Sequence, residues 1–220
     1  MLERFRQFWT NVWAPLADLL LRLGVKPDHV TIVSTIGVSA GALWFFPRGQ
    51  FLVGVLVITA FVFGDIMDGY MARKSGQSSA WGAFLDSTLD RFGDAAVFGG
   101  LVLYYAQSDA KTDLGSPTLY LCLSLGCLVL GNVTSYARAR AESLGMTAKG
   151  GIAERADRLV AILVMTGFNG IFDLPFLTEI TLWALAAASS LTIVQRMLMV
   201  HRQAAGKPTP PGIGTPPGAE

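Results

Sequence analysis

Charge is scarce in this chain: Asp, Glu, Lys and Arg make up 15% of its 220 residues, against roughly 25% in ordinary soluble domains. With 52% hydrophobic residues, that shortage argues against a soluble domain and points to a membrane. Cysteine is nearly absent too. Cys122 and Cys127 lie five apart inside an apolar run, a spacing with no metal or redox pattern, so they read as small packing residues. Nothing in the middle of the chain has the composition of a linker. A cleavable signal is not expected either, because the first 23 residues are amphipathic, carry Glu3, Arg4, Arg6, Asp18 and Arg22, and lack a small-residue cleavage site. Targeting then falls to the internal segments.

The segment 1–23 places Leu2, Phe5, Phe8, Trp9, Val12, Trp13, Leu16, Leu19 and Leu20 at helical spacing with flanking arginines. This pattern predicts a helix lying in the headgroup plane. Six apolar stretches follow, at about 29–46, 51–71, 81–106, 117–140, 156–173 and 175–200, each near the length needed to cross a bilayer. The expected architecture is all-α: the interfacial helix, a six-span catalytic domain over 24–203, and a Pro/Gly-rich tail without fixed structure over 204–220. Nearly all Lys and Arg fall at one set of helix ends, with only Arg48 and Lys111 in the opposite loops. The positive-inside rule therefore puts both termini on the cytoplasmic side of the cell membrane.

Four acids interrupt this apolar pattern. The second stretch ends Gly64-Asp65-Ile-Met-Asp68-Gly69-Tyr-Met-Ala72-Arg73, and the third begins Gly82-Ala-Phe-Leu-Asp86-Ser-Thr-Leu-Asp90-Arg91. Charged groups at such depth cost about 2.5–3.5 kcal/mol each on insertion scales. Asp65 and Asp68 are i, i+3 and Asp86 and Asp90 are i, i+4, so each pair shares a helical face. The short loop between the helices predicts that they run antiparallel, side by side. Two like-charged pairs facing each other would repel, and a divalent cation relieves that repulsion; oxygen-only ligands favour Mg²⁺ or Mn²⁺. Four carboxylates are enough for two ions, which suits a phosphoryl-type displacement. Salt bridges from Arg73 and Arg91 are too few to neutralise the four acids plus Asp94. A cation or proton transport path is the alternative of a different class.

The stretch from Asp65 to Asp90 resembles the signature of the CDP-alcohol phosphotransferase family, with Asp65, Asp68, Gly69, Ala72, Arg73, Gly82, Asp86 and Asp90 filling every fixed position. The resemblance implies that a CDP-linked alcohol gives its phosphoalcohol group to an acceptor hydroxyl and releases CMP. It also implies a homodimer. It makes Asp65, Asp68 and Asp86 metal ligands, and Asp90 both a ligand and the general base. Gly69, Ala72, Arg73 and Gly82 would line the nucleotide site. Upstream, Pro27-Asp28-His29-Val30-Thr31 resembles the family's Pro-Asn-x-Val-Thr element, with Asp28 where Asn is commoner. Asp28 is thus either an N-cap of the first span or, with Thr31, a nucleotide contact.

The acceptor is read from a second cluster. Ser135-Tyr-Ala-Arg138 closes the fourth stretch, Glu154-Arg155-Ala-Asp157-Arg158 opens the fifth, and Arg196 lies near the end of the sixth. Arginines at three helix ends can converge on one anion, and Ser135, Arg138, Arg155 and Arg196 are the expected acceptor-phosphate ligands. These runs resemble the actinobacterial phosphatidylinositol phosphate synthase branch of the family. That implies CDP-diacylglycerol as donor and inositol 1-phosphate as acceptor. A phosphatidylglycerophosphate synthase using glycerol 3-phosphate needs a similar pocket and stays open as the alternative.

Overall fold

Long apolar runs separated by Gly, Pro and polar turns fold here into helices. The structure, a computed structural model, describes residues 14–76 and 79–205, with the backbone alone for Asp65 and Ile66. Among the described residues there is no strand. We label the helices α1 (residues 14–22), α2 (Pro27–Phe45), α3 (Phe51–Lys74), α4 (Ala80–Tyr105), α5 (Pro117–Ser143), α6 (Arg155–Phe172) and α7 (Pro175–Ala204). Proline opens α2, α5 and α7, where its missing N–H has no helical partner to lose. Ser79 caps α4 by accepting from the Gly82 N–H at 3.0 Å. The six apolar stretches all become helices, with ends a few residues from those expected.

Packing closes the six long helices into a ring. α2 lies against α3 and α4, α5 against α4 and α7, and α6 against α3 and α7. The order around the ring is α3, α2, α4, α5, α7, α6, so α4 and α6 face each other across it. Small residues allow close approach: a Cβ added at Gly100 of α4 would stand 2.7 Å from the Ala42 carbonyl oxygen of α2. The main apolar core includes Val38, Val97, Leu101, Phe46, Phe51 and Tyr105, and Phe51 meets the Tyr104 ring edge-on at 4.7 Å.

Pro27–Arg48, α3, α5 and α7 are long and apolar enough to cross a membrane. α4 and α6 fall outside that set because of the charges they carry. α4 holds Asp86, Asp90, Arg91 and Asp94, and the 18 residues of α6 include Arg155, Asp157 and Arg158. The chain is a multi-pass membrane protein in which α4 and α6, whose charges keep them out of that set, face each other.

The expected interfacial helix is described from residue 14 only; the part over 1–13 lies outside the described residues. Within α1, Ala17 is buried beside Met67 and Met71 of α3, with Leu20 and Leu21 packed around them. Leu16, Leu19 and Leu23 remain exposed. Lys74 pairs with Asp18 at 2.6 Å, tying α1 to the end of α3. The expected tail lies outside the described residues from 206 onward.

Candidate active site

The N-terminus of α2 organises one half of the site. Thr31 is buried and donates its hydroxyl to Asp68 Oδ2 at 2.5 Å, fixing that carboxylate on α3. Asp28, one turn earlier, has Oδ1 3.7 Å from where a Cβ on Gly82 of α4 would sit. Asp28, Thr31, Asp68 and Gly82 therefore meet at one corner. On α3, the Arg73 guanidinium folds back over Gly69, with Nη1 3.4 Å from the position of a Cβ there; Ala72 precedes it on the same turn. The α3 backbone sets Asp65 one turn before Asp68, on one face. Asp86 is exposed on α4, and Asp90, one turn on, is partly buried.

Two expectations are corrected here. Asp28 is not the N-cap of α2: Lys26 holds that position with Pro27 as the first helical residue. Pro27 itself signals this register, since proline favours the first helical position. Asp28 sits in the first turn, where its charge favours the helix dipole. Nor do α3 and α4 pack side by side; among the described residues both lie against α2. The connection over 75–79 is long enough to let them splay, and the α2 N-terminus fills the wedge between them.

The other half of the site is built across the ring. Arg155 of α6 places Nη1 2.8 Å from Asp90 Oδ1 and donates from Nε to Asp94 Oδ1 at 3.1 Å. Arg158 lies deeper, 2% exposed. It donates to the Ala153 and Gly131 carbonyls at 3.1 and 3.4 Å and stands 3.7 Å from Asp94 Oδ2. Gly131 makes room for it: a Cβ there would lie 3.3 Å from Arg158 Nη2. Arg91 donates to Ser135 Oγ and lies 3.6 Å from Asp90. Asp90 and Asp94 of α4 thus find partners on α6, in addition to the Arg91 that sequence spacing offered.

The connection over 144–154 delivers Arg155, and α7 fastens it at three points. Gln203 exchanges bonds with the Thr147 backbone at 2.9 and 2.6 Å, and Arg196 donates to the Gly150 carbonyl at 3.1 Å. Thr192 Oγ1 accepts from the Ala153 N–H at 3.1 Å. Asp157 accepts from the Glu154 N–H at 3.2 Å and closes the first turn of α6.

Of the four expected phosphate ligands, the structure brings Arg155 and Ser135 to the Asp90 region. Arg196 is 4% exposed and also donates to the Thr134 carbonyl at 2.6 Å, a fastening role the sequence did not announce. Arg138 is surface-facing and pairs with Glu142 at 3.0 Å, close enough to Arg196 for their charges to repel. Sequence reasoning missed Arg158 and Asp94 as members of this network. Their spacing was the available signal: Asp94 follows Asp90, and Arg158 follows Arg155, by one helical turn.

The donors that the motif offers a cation are carboxylate oxygens: Asp68 of α3, with Asp65 one turn before it along the backbone, and Asp86 and Asp90 of α4. Hard oxygen donors of this kind fit Mg²⁺ or Mn²⁺. Among the described residues no three acidic, Cys or His groups converge as a ready cage, and the Asp65 side chain is not among them. A cavity of about 320 Å³ lies instead at the far end of the ring, lined by Arg48, Tyr104, Lys111 and Asp173 among others. It contains none of the motif carboxylates.

Known proteins resemble the chain throughout. The family model for CDP-alcohol phosphatidyltransferases matches residues 25–194. A phosphatidylinositol phosphate synthase from Streptomyces avermitilis is 48% identical over 212 residues, covering 93% of this chain and 84% of that protein. One from Cutibacterium acnes is 47% identical, covering 92% and 98%. Among solved structures, Mycobacterium tuberculosis phosphatidylinositol phosphate synthase with CDP-DAG bound superposes with a TM-score of 0.81 at 37% identity, covering 94% of this chain and 98% of that one. The same enzyme in complex with manganese and citrate gives a TM-score of 0.79 at 38% identity, covering 92% of each chain. The chain belongs to the CDP-alcohol phosphatidyltransferase family.

Proposed function

We propose that this protein transfers the phosphatidyl group of CDP-diacylglycerol to a hydroxyl of inositol 1-phosphate, giving phosphatidylinositol phosphate and CMP. Family membership and relatives named for that product support the reading. The observation that carries it is the 2.8 Å contact between Arg155 and Asp90, which sets an anion-binding guanidinium beside the motif's last carboxylate. An acceptor bearing both a phosphate and a hydroxyl matches that pairing.

In the reaction, the acceptor hydroxyl oxygen bonds to the phosphatidyl phosphorus as the P–O bond to CMP breaks. Asp90 takes the hydroxyl proton, and CMP departs with the bonding electron pair. Asp65, Asp68, Asp86 and Asp90 would hold Mg²⁺ or Mn²⁺, as two ions, which would supply charge neutralisation for the diphosphate and the leaving CMP. Thr31 holds Asp68 in place. Asp28, Gly69, Ala72, Arg73 and Gly82 line the nucleotide site, with Arg73 over the diphosphate. Arg155 leads the acceptor-phosphate contacts, flanked by Ser135, Arg138 and Arg196. The layout we infer is six spans in the cell membrane, with α1 at its surface, both termini and the site on the cytoplasmic side, and two copies forming a homodimer.

Purified protein with Mg²⁺, CDP-diacylglycerol and a panel of acceptors tests this directly by CMP release. Inositol 1-phosphate is expected to be the preferred acceptor. Release with glycerol 3-phosphate alone would overturn the acceptor, and no release with any phosphorylated polyol would overturn the reaction.

A further inference from the structure

We infer that Asp94 is a positioning residue for acceptor recognition, acting through Arg155. The inference rests on the reading of Arg155 as an acceptor-phosphate ligand. Asp94 is 6% exposed and belongs to α4, which does not pack along α6. Its two oxygens are divided between two arginines of α6: Oδ1 accepts from Arg155 Nε at 3.1 Å, and Oδ2 faces Arg158 Nη2 at 3.7 Å. Arg155 is the more exposed partner, with 28% of its side chain accessible against 3% for Arg158.

This arrangement separates two jobs. The buried acid holds the Nε edge of Arg155, while Nη1 reaches Asp90 at 2.8 Å. A guanidinium gripped at Nε and Nη1 has a fixed plane, so its remaining N–H groups point in set directions. Gly93 shapes the same space: a Cβ there would stand 3.9 Å from Arg155 Nη2. Pre-setting a donor fork in this way removes side-chain ordering from the cost of binding an anion. Arg158 is anchored independently by the Ala153 and Gly131 carbonyls, so Asp94 sits against a fixed cation and cannot follow Arg155 if it turns. Asp94 itself is too deep to touch the acceptor.

Steady-state kinetics of full-length protein in micelles of fixed composition test the role. Asp94→Asn keeps the shape and removes the charge; it is expected to raise KM for inositol 1-phosphate about tenfold, the loss of one charge-assisted contact. KM for CDP-diacylglycerol is expected to stay within about twofold. Asp94→Glu restores the charge and should recover part of the loss. In an Arg155→Lys background, Asp94→Asn should add less than about twofold, since lysine offers no fork to orient. Equal rises in both KM values, or an undiminished effect in the Arg155→Lys background, would overturn the proposal. If Asp94→Asn yields no folded protein, Asp94→Glu alone decides: a raised acceptor KM with unchanged donor KM supports the role, and any other pattern overturns it. Failure of the acceptor reading is visible separately, because the unmodified protein would then use glycerol 3-phosphate, and the same variants are scored with that acceptor.

Discussion

Both ends of the helix ring bury a carboxylate, and they satisfy it with different partners. At the site end, Asp94 is held by the guanidinium groups of Arg155 and Arg158. At the far end, Glu179 of α7 is fully buried and accepts from the backbone N–H groups of Asp113 and Leu114, both at 2.9 Å. Asp113 returns the contact by accepting from the Phe176 N–H at 3.0 Å. Backbone amides cannot be shared with a ligand unless the loop moves, so Glu179 and Asp113 form a latch. Guanidinium groups have donors to spare and can grip an arriving anion while keeping their carboxylate. On the proposed reading, one end serves support and the other chemistry, with similar acids.

Five measurements bear on this contrast, the strongest first. Asp90→Asn is expected to lower turnover by about 10²–10⁴-fold, the range for loss of a general base. Nucleotide binding and the thermal midpoint should change little; loss of binding as well would make Asp90 chiefly a metal ligand. Glu179→Ala removes the acceptor of the Asp113 and Leu114 amides and should cost about 1–3 kcal/mol of stability, read by denaturation in micelles, with unchanged turnover per folded molecule. A fall in that turnover would erase the division between the ends. Gly131→Ala presses on the buried Arg158 and should cost about 1–3 kcal/mol, with a higher acceptor KM and an unaltered donor KM. Lys111→Ala removes the exposed 2.7 Å pair with Asp173 and should leave the melting temperature and turnover unchanged at physiological salt.

The fifth concerns pH. The Lys74 ammonium, bonded to Asp18, holds the Asp18 carboxyl below its ordinary value of 3.8. A lowered folded-state value means the tether's contribution is complete above that ordinary value and is lost as pH falls through the lower one. Hydrogen exchange over residues 14–22 should therefore be insensitive to this group between pH 8 and pH 5. Loosening that is attributable to Asp18 within that window would contradict the assignment.

Much of the fold was legible because each helix is written in consecutive residues. Apolar runs and turn signals located all six long helices, and Pro27 already marked the register that makes Lys26 the N-cap. The carboxylate motif was legible for the same reason, since i, i+3 and i, i+4 spacings fix shared faces. The pairing across the ring was not. Nothing local says that α4 faces α6, so Asp94 could not be joined to Arg155 and Arg158 from spacing alone. Charge asymmetry likewise treats every arginine at a helix end as equivalent. It could not separate the buried Arg196, which bonds to the Gly150 and Thr134 carbonyls, from Arg138 on the surface beside Glu142.

The space beside Gly131 has a consequence for how such a chain can change over generations. The Arg158 guanidinium occupies the volume that any side chain at 131 would need, with Nη2 and Nε 3.3 and 3.4 Å from the position of its Cβ. A side chain at 131 therefore requires Arg158 to give way by a few tenths of an ångström. If Arg158 is lost first, a hole opens that a residue at 131 can later fill. If Gly131 is replaced first, the chain must carry a crowded, pinned arginine until the second change arrives. Sequence drift at this pair is expected to have a preferred order, with the arginine yielding before the glycine.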